Sequence, residues 1–80
     1  MNKSQSKITG QAISDIEGIM AGLETVIEEL QETYDGKSEK WQEGEKGEEL
    51  VARIDQLRCA VDSLLAASEE IDNARGSSGY

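Results

Sequence analysis

Between Ile13 and Tyr34 large apolar residues recur at steps of three and four without a miss: Ile13, Ile16, Met20, Leu23, Ile27, Leu30 and Tyr34. This is a heptad seam, with Ile13, Met20, Ile27 and Tyr34 at a and Ile16, Leu23 and Leu30 at d. It commits the segment to an amphipathic helix whose apolar edge must be covered. Ile19 and Val26 fall at g and widen the seam to a three-position stripe, the pattern of a globular bundle rather than a thin two-stranded zipper. Asp15, Glu17, Glu24, Glu28, Glu29 and Glu32 lie off that stripe.

A second seam starts at Leu50 and continues through Ile54, Leu57, Val61, Leu64 and Ile71, with Ser68 its one polar interruption and Val51 and Leu65 widening it on one side. The chain has no proline, which fits long uninterrupted helices. Two amphipathic helices joined by a short polar segment predict an all-α antiparallel helical hairpin. The expected layout is one domain over 1–75, with a first helix over about 8–34, a connection over 35–47 and a second helix over about 48–74. Met1 to Lys7 reads as a frayed arm, although the Ser14, Glu17 pair has capping-box spelling inside the seam. Asp35-Gly36 reads as a helix stop, with the glycine in the left-handed conformation. Residues 76–80 read as a flexible tail, and Gly-Ser-Ser-Gly within them looks like a cloning remnant.

The connection is strongly charged and holds Gly44, Gly47 and the only tryptophan, Trp41. So long a loop is unusual in a bundle, so part of it should be helical, with Ser38 as cap of a first turn and Gly44 or Gly47 opening the second helix. Trp41 has two compatible readings. It is a lid over the open end of the hairpin, packed on Tyr34 and Leu50, or, with Tyr34, a contact for a partner.

Eighty residues bury a modest core, and a single copy would be marginal without help. One cysteine excludes an internal disulfide, and one cysteine with no histidine argues against structural zinc. Oligomerisation is the aid left. The net charge of -9 argues against nucleic acid or an anionic membrane as partner. It leaves either a solvated surface or one that meets a basic partner, by resemblance to nucleic acid in one version. No signal-peptide pattern and no window near the ~18 apolar residues of a spanning helix is present, which with the free thiol predicts a cytoplasmic protein.

The backs of the helices carry small residues. Gly10, Ser14, Gly18 and Gly22 recur every four positions beside Ala21 and Thr25, while Ala52, Cys59, Ala60, Ala66 and Ala67 lie on the second helix. Glycine inside a helix costs about 1 kcal/mol against alanine, and close approach of another helix is one compensating reason. On that reading Gly18, Ala21, Gly22, Thr25, Cys59 and Ala66 form a self-association interface, giving a homodimer as a four-helix or larger bundle. The other reading is a bare exposed face. Cys59 has no histidine to activate it and reads as a small contact residue, or as a disulfide or sensing thiol.

Glu29 with Glu32 and Glu69 with Asp72 are carboxylate pairs at i and i+3, a spacing that can hold magnesium. They resemble the acidic pairs of the all-helical nucleotide pyrophosphohydrolases related to MazG, a likeness confined to those four residues. That family needs more helices and more basic side chains, so the expectation is no enzyme and no cofactor. The run from Tyr34 through Trp41 to Gly47-Glu-Glu (YDGKSEKWQEGEKGEE) resembles a segment of small helical-hairpin proteins of bacteriophages and mobile elements. That resemblance implies a phage or prophage origin and no enzymatic activity. The expected function is therefore an acidic accessory protein that inhibits or sequesters a host protein. The alternatives are an oligomeric binder of a nucleotide-type small molecule, a metal-dependent nucleotide pyrophosphohydrolase and a structural or assembly factor of a phage particle.

Overall fold

The computed structural model describes residues 1–76 and consists of three helices: α1 (Lys3–Asp35), α2 (Glu39–Glu43) and α3 (Glu45–Gly76). No strand is present among the described residues. The two long helices lie side by side and antiparallel. Gly10 meets Arg75 at one end, Ile27 shares a cleft with Arg58 and Val61 midway, and Thr33 shares one with Leu50 and Arg53 at the turn. The result is a rod of 59 × 15 × 12 Å with a radius of gyration of 17.9 Å, against about 12 Å for a globular chain of this length.

Helix α1 starts earlier than the apolar periodicity predicts. The Asn2 side chain accepts the Gln5 backbone N–H at 2.8 Å and the Gln5 side chain accepts the Asn2 backbone N–H at 3.1 Å. This reciprocal capping box satisfies two otherwise orphaned donors and extends the helix over the polar residues expected to fray. Ser14 and Glu17 lie in the helix interior and cap nothing. At the other end Gly36 stays right-handed, with φ -79° and ψ -6°; its N–H donates to the Glu32 carbonyl and the Lys37 N–H donates to the Tyr34 carbonyl. No left-handed residue is needed there because the reversal is spread over α2. Helix α3 likewise begins at Glu45, before the expected start, and runs through Gly76. The flexible-tail reading of 77–80 lies outside the described residues.

The α3 seam, continued in heptads, places Gly47, Ile54, Val61 and Ser68 at a and Leu50, Leu57, Leu64 and Ile71 at d. Packing these against the α1 seam buries Ile27, Leu50 and Ile54, with Leu30, Tyr34, Trp41, Leu57 and Val61 partly buried around them. The core thus sits in the half of the rod nearest the turn. Toward the far end Ile13, Ile16, Met20 and Leu64 are only half-buried, and the seam position at Ser68 is buried and polar, its hydroxyl donating to the Leu65 carbonyl at 2.9 Å.

The rod has two long edges. Thr33, at g of α1, shares a cleft with Lys46 and Arg53, at g of α3; Glu24, at e of α1, shares another with Arg58, at e of α3. The g edge continues through the exposed Val26 and Ile19 of α1 and through Ala60 and Ala67 of α3. It is the more apolar edge. The e edge mixes Glu17, Glu24 and Arg58 with Val51 and Leu65.

Candidate functional site

The end of the rod where the chain turns is the most constructed part of the molecule. Ser38 caps α2, accepting the Trp41 backbone N–H on its hydroxyl at 3.3 Å. The Gly44 N–H donates to the Trp41 carbonyl, and the Gly44 carbonyl accepts the Glu48 N–H, so α2 passes into α3 through a single residue. The Gln42 side chain reaches back, its Nε2 donating to the Tyr34 carbonyl at 2.8 Å and to the Lys37 carbonyl at 3.3 Å. These bonds tie α2 to the end of α1, giving a second donor to the Tyr34 carbonyl, which also accepts the Lys37 N–H, and a donor to the Lys37 carbonyl.

Trp41 and Tyr34 are half-buried and pack against the Ile27, Leu50 and Ile54 cluster. This is the geometry of the lid reading. The Lys37 ammonium lies 5.4 Å from the centroid of the Trp41 ring, within cation–π range. Beside the ring is a cleft of about 340 Å³, open to solvent, lined by Thr33, Lys37, Trp41, Lys46, Glu49, Leu50 and Arg53. Three cations and one carboxylate around an indole give this cleft a positive lining in a chain of net charge -9. Sequence reasoning passed over it. The available signal was the spacing of Lys46 and Arg53, one heptad apart and therefore on one edge.

Gly18, Ala21, Gly22, Thr25, Cys59 and Ala66 are all exposed. Among the described residues, a Cβ added at Gly18 or Gly22 would meet nothing within 4 Å beyond the neighbouring backbone of its own helix. Because the two seams face each other, the back of α1 and the back of α3 point in opposite directions. The six residues therefore form no single patch, and a partner that reached Gly18 would not reach Cys59. The Thr25 hydroxyl is engaged within its own helix, donating to the Ala21 carbonyl at 3.1 Å.

The two carboxylate pairs also stand apart. Glu29 and Glu32 lie near the turn, whereas Glu69 and Asp72 lie toward the far end, roughly 20 Å away by helical rise. All four are exposed. Among the described residues no group of three or more histidine, cysteine or carboxylate side chains is placed to hold a metal. The mid-rod cleft, about 350 Å³, gathers Glu24, Glu28 and Asp62 around Arg58, Ile27 and Val61. Among the described residues no helix is long and apolar enough to cross a membrane.

Comparison with models of protein families, with curated proteins and with solved structures finds no match to this chain. The fold itself defines the class: an elongated, acidic, all-helical hairpin.

Proposed function

We propose that this chain is a non-enzymatic interaction protein that works as a self-associated bundle, a second copy covering the apolar surface its own hairpin leaves open. The observation that carries this reading is the thinness of the core. Along a 59 Å rod only Ile27, Leu50 and Ile54 among the described apolar residues are buried, while Ile19 is 53% and Leu65 46% exposed. The chain exposes 5905 Å², whereas a compact monomer of 8.7 kDa exposes about 4,700 Å² by the usual mass scaling. The excess is of the order that one partner hides in a standard interface, roughly 800 Å². The support falls on the g edge, where Ile19 and Val26 stand beside Ala60 and Ala67, more than on the small residues of the two backs.

Light scattering after gel filtration tests this directly. A mass at a multiple of 8.7 kDa is expected, and a concentration-independent monomer mass would sink it. Around such a bundle the outward carboxylates make a surface suited to a basic partner, in keeping with a phage-type accessory protein that sequesters a host factor in the host cytoplasm. A salt-sensitive complex with a basic protein is the expected result. Failure to retain any host protein in affinity capture would count strongly against this part of the reading.

A further inference from the structure

Four of the 8 cationic side chains, Lys37, Lys40, Lys46 and Arg53, are concentrated around the turn. Of the acids between them only Glu49 lines the cleft beside Trp41; Glu39, Glu43, Glu45 and Glu48 do not. The positive character is thus a property of the fold, invisible in the local net charge. Leu50 gives the cleft an apolar wall, Trp41 a flat aromatic one, and Lys46 and Arg53 converge from one edge of α3.

The geometry points to a ligand site for a nucleoside monophosphate, a flat heterocycle joined to a single phosphate. Each feature of the cleft restricts the chemistry. An indole half-buried on one side offers its remaining surface to a planar ring. Arg53 and Lys46 supply a guanidinium fork and an ammonium for a phosphate. Glu49 repels a bare polyanion but accepts hydrogen bonds from a ring amino group or a sugar hydroxyl, which favours one phosphate over several. The volume of about 340 Å³ suits a ligand of that size. Lys37, now over the ring, would move aside as the heterocycle stacks and remain close enough to pair with the phosphate. All of these residues belong to one chain, and the cleft occupies the turn end of the g edge, beyond Val26 and Ile19.

Trp41 is the only tryptophan, so its emission reports on this cleft alone. The full-length protein is titrated with adenosine 5′-monophosphate, adenosine and inorganic phosphate, and the Arg53→Glu and Lys46→Glu variants are titrated at the same concentrations to cancel absorption by the nucleotide. Both residues are exposed, and circular dichroism checks that each variant keeps its helix content. Saturable quenching by the monophosphate, at least tenfold weaker in either variant and unchanged in Lys7→Glu at the far end of the rod, is expected. Quenching that is absent, or the same in wild type and both variants, would overturn the site. Saturation by inorganic phosphate at the same concentration as by the nucleotide would overturn the ring contact and with it the proposal.

Discussion

The backbone of Gln42 occupies the space that a side chain on Gly47 would need. A Cβ built at Gly47 would lie 2.6 Å from the Gln42 carbonyl carbon and 2.7 Å from its Cα, closer than such atoms approach in folded proteins. Gly47 is itself buried, in the first turn of α3. This one contact lets α2 fold back onto α3 and sets Trp41 over the core.

Gly47→Ala must therefore push α2 away from α3, and the cost should exceed the helix-propensity gain of alanine. A loss of about 1–3 kcal/mol in denaturant unfolding is expected, with a red shift of Trp41 emission as the ring loses its cover. Gly18→Ala and Gly22→Ala are the counter-experiment. Beyond the neighbouring backbone of α1, no described residue lies within 4 Å of either added methyl, so each should stabilise the protein by about 0.5–1 kcal/mol. Destabilisation at these two positions would mean that a second helix packs there after all.

Gln42→Ala removes both side-chain bonds from α2 to the end of α1. The Tyr34 carbonyl then keeps only the Lys37 N–H, at 3.1 Å, and the Lys37 carbonyl loses its Gln42 donor. A loss of about 1–2 kcal/mol is expected from the urea midpoint, with little change in helix content by circular dichroism. A variant as stable as the wild type would show that the turn is held by Trp41 packing alone.

The long helices were legible in the sequence because a seam that repeats every three and four residues has one physical solution. Ser38 as a cap and Trp41 as a lid over the core that holds Leu50 were legible for a similar reason: each rests on a local rule of capping or on sheer side-chain size. The early start of α1 was not, because Asn2 and Gln5 are polar and carry no periodicity; their capping box was spelled there but stood outside the apolar pattern. The need for glycine at 47 but not at 18 or 22 was also hidden. All three read alike along the chain, and only the approach of Gln42 distinguishes them. The cationic cleft depends on which of several interleaved acids and bases face Trp41, a matter of rotation about α3 that local charge counts average away.

Ser68 is a buried polar residue at a seam position, and its hydroxyl is satisfied by the Leu65 carbonyl of its own helix. Such a bond within the helix adds little to stability, because the carbonyl already belongs to the helical ladder. Ser68→Ala should be neutral or stabilising by up to about 1 kcal/mol in thermal unfolding. A clear loss would show that the hydroxyl has a second partner, which in a bundle would come from another copy.

Ile54 and the pair Ile19 and Val26 separate the stability of the hairpin from that of its assembly. Ile54 is 3% exposed at the centre of the core, and Ile54→Ala should cost about 2–5 kcal/mol at every protein concentration. Ile19 and Val26 are 53% and 42% exposed, so within one chain their replacement removes little packing. If a second copy covers this edge, the melting temperature of the wild type rises with protein concentration by mass action. The double variant Ile19→Glu, Val26→Glu would place two carboxylates in that contact and should abolish the concentration dependence. Melting curves at two protein concentrations a hundredfold apart read both effects. A wild-type melting temperature that does not move over that range would mean the g edge is bare, and the exposed isoleucine and valine would then be surface residues of a stable monomer.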